Sequence, residues 1–128
     1  MKARGLDHVV LDVSDPARSV HWYQEKLGLE PERFEEWKTG EVLFPSLRID
    51  ATTVLDLFPA TPTGVNVDHL CLVVEDTDLD EVAASGEFEV LAPPSRLWGA
   101  QGWGVGLYIK DPDGHTLELR TYRDEADS

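Results

Sequence analysis

The 128-residue sequence predicts an α+β fold made of two copies of a strand–helix–three-strand (βαβββ) module in a single domain, residues 1–128. Three observations predict it. The stretch Leu6-Asp7-His8-Val9-Val10-Leu11-Asp12-Val13 has a second copy in Val67-Asp68-His69-Leu70-Cys71-Leu72-Val73-Val74, and an Asp-His pair opens each. Each copy is followed by an apolar strand with a carboxylate at its centre: Asp56 lies 48 positions after His8, and Glu118 lies 49 after His69. Each half also has a helix signal close behind its first strand, ending at a glycine, Gly28 or Gly86. Matched signals at matched spacing are the mark of internal duplication.

Module one spans about 6–58. Its first strand, 6–13, is rich in Val and Leu, and strand phase puts His8, Val10 and Asp12 on one face and Val9, Leu11 and Val13 on the other. Ser14 or Asp15 caps a helix over 16–27, with Pro16 in the first turn, where its missing amide has no helical partner anyway. Val20, Tyr23 or Gln24, and Leu27 recur at helical spacing before Gly28. Strands are expected at 33–38, 41–50 and 53–58, with turns at Thr39-Gly40 and Asp50-Ala51. Pro45 marks the middle one as an edge strand or a bulged one. Residues 59–64, Pro-Ala-Thr-Pro-Thr-Gly, read as a linker.

Module two spans about 66–122. A strand at 67–74 leads to a short helix at 77–85 and to strands at 87–91, 105–110 and 116–122. Asp111-Pro112-Asp113-Gly114 has the composition of a tight turn between the last two. The intervening 92–104 is so rich in Gly and Pro that it reads as an irregular, mobile loop carrying Trp98 and Trp103, a lid over a site.

Composition narrows the partners. Acidic residues number 25 against 11 basic, for a net charge of −14, a surface that repels nucleic acid and anionic membranes. The single Cys71 cannot form an intramolecular disulfide and sits in an apolar run, as a buried reduced thiol does. There is no apolar run of about 18 residues and no apolar signal-peptide core at the N-terminus, so a soluble cytoplasmic protein is expected.

Taken with Leu27-Gly28-Leu29-Glu30-Pro31 and Asp111-Pro112-Asp113-Gly114-His115 before Leu117-Glu118-Leu119, the duplicated unit resembles the vicinal oxygen chelate superfamily from Leu6 to Tyr122. That group includes glyoxalase I, fosfomycin-resistance thiol transferases, extradiol dioxygenases, acyl-CoA epimerases and bleomycin-binding proteins. The resemblance implies that each module curls into a half-barrel, that two halves enclose a metal, and that a chain of this size forms a homodimer. It leaves open whether His8 and Asp56 meet His69 and Glu118 of the same chain or of a second one.

The ligand chemistry can also be argued from the residues. A lone histidine in a strand is usually a hydrogen-bonded core residue; two at equivalent repeat positions read as ligands. Imidazole with carboxylate suits a borderline divalent ion such as Fe, Ni, Co, Mn or Zn, and the absence of paired Cys argues against a structural zinc site. With His8, Asp56, His69 and Glu118 all bound, an octahedral ion keeps two positions for a substrate with two adjacent oxygens. Asp56 is one methylene shorter than the Glu common at this position in the family. Without it, His8, His69 and Glu118 form the two-His-one-carboxylate set of non-haem Fe(II) oxygenases.

The expected function is therefore a metal-dependent small-molecule enzyme of the glyoxalase type, with lyase or isomerase chemistry and Glu118 or Asp56 as general base. The alternatives are an extradiol-type Fe(II) dioxygenase and a drug-sequestering, bleomycin-resistance-like binding protein. Scarce Arg and Lys weigh against glutathione-dependent glyoxalase I and against fosfomycin thiol transfer. Trp98, Trp103, Tyr108 and Tyr122 are expected to line the substrate pocket, with Arg96 and Arg120 as clamps for a substrate carboxylate. His21 and His115 read as a surface helix residue and a turn-exit residue rather than ligands.

Overall fold

The computed structural model describes residues 1–110 and 114–122, so the Asp111-Pro112-Asp113 part of the expected turn lies outside the described residues. In chain order the elements are β1 (Ala3–Val13), α1 (Pro16–Leu27), β2 (Glu30–Glu32), α2 (Phe34–Lys38), β3 (Ser46–Asp50), β4 (Thr53–Pro59), β5 (Val67–Val74), α3 (Leu79–Ala84), β6 (Glu89–Val90), β7 (Ser95–Gly99), β8 (Gly102–Lys110) and β9 (Thr116–Thr121). The α+β class and the strand–helix–strands order of each half are as expected. Two compact units result: His8–Asp68, and Met1–Asp7 with His69–Ser128. β1 gives its first half to one and its second half to the other.

In the unit His8–Asp68 the strands run in the order β2-β3-β4-β1, with β1 parallel to β4 and the other pairs antiparallel. Asp15 caps α1 by accepting from the Arg18 amide at 3.1 Å, Pro16 opens it, and Gly28 closes it at φ 69°, a left-handed conformation that suits glycine. Val20, Leu47 and Leu57 are the buried centre, with Val13, Tyr23, Leu29, Phe34 and Leu55 packed around them. Each such aliphatic side chain contributes about 1.5–3 kcal/mol on full burial. The register His8↔Val54, Val10↔Asp56 and Leu11↔Leu57 sorts the faces. Leu55 and Leu57 lie on the face packed with α1, and His8, Val10, Asp12 and Asp56 lie on the other.

Two expected strands in this unit are different. Residues 34–38 form α2, where Phe34 stacks on Trp37 with centroids 6.1 Å apart, and Lys38 both lies 4.6 Å over Phe34 and pairs with Glu35 at 2.9 Å. Those are contacts at helical spacing, and they win over a strand pattern that buried none of these residues on one side. The expected strand at 41–50 begins only at Ser46, directly after Pro45, which has no amide to give to a ladder.

In the other unit the order is β5-β9-β8-β6, with β7 also paired to β8; β5 and β9 are parallel and β8 is antiparallel to its neighbours. α3 is capped by Asp78, which accepts from the amides of Asp80 at 3.0 Å and Glu81 at 3.3 Å. Its Leu79 joins Val74, Leu107, Ile109 and Leu119 in the buried core. The expected mobile loop at 92–104 is instead largely a β-hairpin: β7 and β8 pair from Ser95↔Gly106 through Gly99↔Gly102. Gly102 takes the turn at φ 101° with open space around it, but at three other glycines the backbone comes close to neighbouring atoms. A Cβ on Gly99 would meet the Arg120 guanidinium at 2.5 Å, one on Gly104 the Thr121 carbonyl at 2.4 Å, and one on Gly106 a Glu118 oxygen at 2.9 Å. No helix among the described residues is long and apolar enough to cross a membrane.

Candidate metal centre

The four residues expected as ligands occupy equivalent places in their two ladders. Asp56 pairs with Val10, two residues beyond His8, and Glu118 pairs with Cys71, two residues beyond His69. Parallel neighbours share a face, so within each unit the histidine and the carboxylate lie diagonally on the face turned away from the helix. All four are buried.

Around Glu118 the polar contacts are dense. His69 Nε2 lies 3.4 Å from Glu118 Oε1, and the His69 ring meets the edge of Tyr108 with centroids 5.2 Å apart. Arg120 donates from Nε to Glu118 Oε2 at 2.9 Å, and the Tyr108 hydroxyl also hydrogen-bonds this carboxylate. Burial first, and the Glu118 charge second, push the Tyr108 phenol well above its ordinary range, as they do the Cys71 thiol. Both are therefore neutral donors at neutral pH. Burial alone would lower the Arg120 pKa, but Glu118 together with the other acidic groups around it, Asp7 among them, outweighs that effect, and the guanidinium stays charged.

Around Asp56 the polar contacts include a neutral partner: Ser46 Oγ donates to Asp56 Oδ1 at 2.5 Å. On the same face of β1, Asp12 Oδ1 is buried with no hydrogen-bond partner among the described residues. The imidazole–carboxylate pairs of both units fit a borderline divalent ion.

The residues expected to bind substrate are placed less uniformly. Tyr108 pairs with Glu118 and shares its face. The register Arg96↔Val105 and Trp98↔Trp103 puts Arg96, Trp98 and Trp103 on the opposite face of the β7–β8 hairpin, where the Arg96 guanidinium lies 4.4 Å over the Trp103 ring. Arg120 is wholly buried and donates to the Leu97 carbonyl at 3.0 Å and the Trp98 carbonyl at 3.1 Å as well as to Glu118. It is committed to the protein rather than held out to a substrate carboxylate. Sequence reasoning gave no role to Asp7 and read Tyr122 as a pocket aromatic rather than as its partner. Asp7 is fully buried and accepts from the Ala100 amide at 3.0 Å and from the Tyr122 hydroxyl, whereas Asp68, its counterpart in the repeat, is exposed. The one available signal was the phase of β9, which sets Tyr122 and Arg120 in step with Glu118.

Residues 5–119 match the model of the Glyoxalase/Bleomycin resistance protein/Dioxygenase superfamily. The chain belongs to that superfamily. Among its relatives, the virulence protein STM3117 of Salmonella typhimurium is 28% identical over 123 residues, covering 91% of this chain and 83% of that protein. The glutathione transferase FosA of Serratia marcescens is 30% identical over 126 residues, covering 91% and 79%. Among solved structures, a Streptomyces coelicolor methylmalonyl-CoA epimerase variant (Q60A) in complex with 2-nitronate-propionyl-CoA aligns with TM-score 0.66 at 21% identity, covering 96% of this chain and all of that one at 100%. The Mn(II)-bound glyoxalase of Novosphingobium aromaticivorans aligns with TM-score 0.67 at 23% identity, covering 93% of this superfamily member and 39% of the larger chain. At these identities the two structures show the shared fold.

Proposed function

We propose that this superfamily member is a metal-dependent enzyme of the glyoxalase type, holding a divalent ion through His8, Asp56, His69 and Glu118 and acting without redox change on a small molecule with two adjacent oxygens. The observation that carries the reading is the repeated register: Asp56 holds in its ladder the position that Glu118 holds in the other. That repetition supports a four-ligand set, which leaves room for a chelating substrate and none for dioxygen beside it. A homodimer is part of the proposal.

When bound, the ion supplies Lewis-acid charge that makes a C–H beside a substrate carbonyl easier to deprotonate. The protein moves the proton. Glu118 accepts from a cationic donor, Arg120, while Asp56 accepts from the neutral Ser46, so Asp56 is the stronger acceptor for a substrate proton. Tyr108, neutral and on the Glu118 face, orients substrate oxygen. The likeness to a glutathione transferase brings thiol transfer into view, but Arg120 is spent on protein partners, which leaves it no part in holding an anionic co-substrate.

One observation favours a second reading. The Ser46 bond occupies an oxygen of the shorter Asp56, and a ligand set reduced to His8, His69 and Glu118 is that of an Fe(II) extradiol dioxygenase. The deciding experiment starts from elemental analysis of protein purified without chelator, then offers the loaded protein 2-oxo and 2-hydroxy compounds in deuterated water and, separately, catechols with oxygen. Stoichiometric metal with carbon-bound deuterium and no oxygen uptake is the expected result. Ring cleavage with oxygen uptake overturns it in favour of the dioxygenase, and absence of metal leaves the drug-sequestering class.

A further inference from the structure

We propose that Arg120 is a positioning residue for the Glu118 carboxylate: it occupies Oε2 and leaves Oε1 as the single oxygen turned toward His69, making Glu118 a one-oxygen metal ligand of fixed direction. The inference rests on the metal-binding reading above. Its geometry lies wholly inside the unit Met1–Asp7 with His69–Ser128.

Beside the Tyr108 hydroxyl, which also bonds this carboxylate, two contacts distinguish its two ends. Oε2 receives the Arg120 Nε at 2.9 Å, while Oε1 lies 3.4 Å from His69 Nε2. The guanidinium that does this cannot swing away. Nη1 and Nη2 are tied to the carbonyls of Leu97 and Trp98, Asp7 Oδ2 lies 4.0 Å from Nε, and Tyr122 lies beneath the guanidinium with 5.2 Å to the ring centroid. Space around the pair is also removed, since Gly99 and Gly106 admit Arg120 and Glu118 only because they lack a Cβ. Arg120 is 0% exposed and Glu118 1% exposed, so water does not compete for these bonds.

A planar fork that bonds three acceptors at once fixes orientation in a way a single ammonium does not. Restricting Glu118 to one oxygen also has a chemical consequence. It keeps the coordination number down, which suits an octahedral transition-metal ion over a larger ion that takes both oxygens of a carboxylate. Partners that orient a ligand from behind typically change metal affinity by about 10–100-fold when removed.

The test compares the parent with Arg120→Lys, which keeps the charge and gives up the fork, and with Gly106→Ala, which leaves Arg120 intact and crowds Oε2. Co(II) is titrated into each, reading affinity and the visible absorption bands, and the metal-free parent and Arg120→Lys are crystallised. Expected are a loss of Co(II) affinity of about 10–100-fold in Arg120→Lys, changed absorption bands in both variants, and a displaced Glu118 Oε1 in the crystal of Arg120→Lys. Parent-like affinity and bands in Arg120→Lys overturn the proposal, as does a Glu118 that stays in place in its crystal. If Arg120→Lys does not fold, parent-like Co(II) bands in Gly106→Ala overturn it. A parent that takes up no Co(II) overturns the metal reading instead, and the crystals then decide the positioning role by themselves.

Discussion

The Tyr122 hydroxyl donates to the carboxylate of Asp7, 115 residues earlier in the chain, and the same carboxylate accepts from the Ala100 amide at 3.0 Å. Three segments distant in sequence, the start of β1, the end of β9 and the tip of the β7–β8 hairpin, therefore meet at one buried anion. Removing the phenol leaves that anion short of a donor. Tyr122→Phe is expected to lower stability by about 1–3 kcal/mol in urea denaturation. The double variant with Asp7→Asn should fall short of the sum of the single effects, because both changes break one contact. Additive losses would show that the two residues act separately.

Gly99 and Gly104 of the hairpin should behave as contact positions. Gly104→Ala sets a Cβ against the Thr121 backbone carbonyl, which cannot move aside, whereas in Gly99→Ala the clash is with the ends of the Arg120 and Tyr122 side chains. Both are expected to destabilise by about 1–3 kcal/mol, Gly104→Ala the more, as read by thermal denaturation. Hydrogen exchange at the amides of Ala100 and Gln101, which donate to Asp7 and Tyr122, should be slow. Fast exchange there would restore the picture of a mobile lid.

The proposed ligands should separate under mutation. His69→Ala is expected to abolish stoichiometric metal with a smaller loss of stability than Glu118→Ala, since it leaves the Arg120–Glu118 pair intact. Glu118→Ala is expected to lose metal and also about 3–5 kcal/mol of stability, because it strands the buried Arg120 charge. Elemental analysis and denaturation on the same samples read both. Retained metal in His69→Ala would remove that residue from the ligand set.

Alkaline pH should unfold the protein through its tyrosines. Burial, reinforced by Asp7 at Tyr122 and by Glu118 at Tyr108, raises both phenols above the ordinary value of 10.0. The folded state thus keeps protons that the unfolded chain releases, so this stability is fully present below pH of about 10 and declines as pH rises past it. Denaturation midpoints are expected to drop above pH of about 10, with a shallower drop in Tyr122→Phe. An equal slope in that variant would assign the loss to other groups.

Much of this protein could be read from its chain. Alternating apolar residues around His8 and His69, the cap at Asp15 and the stop at Gly28 are local signals, and local geometry obeys them because each depends on neighbours a few residues away. The repeat of Asp-His strands and central carboxylates likewise survives folding as an equal register in the two ladders. What lay beyond reach depended on partners far along the chain. Phe34–Lys38 carried no strong pattern of its own, so packing of Phe34 into the unit's core and its contacts with Trp37 and Lys38 decided for a helix. Arg120 looked like a substrate clamp because strand phase says which face a side chain takes and not what waits there; Glu118, Leu97 and Trp98 were waiting. Glycine is the most ambiguous residue of all, compatible with motion or with close approach. Only the tertiary structure, by bringing Arg120 and Glu118 against Gly99 and Gly106, made it close approach.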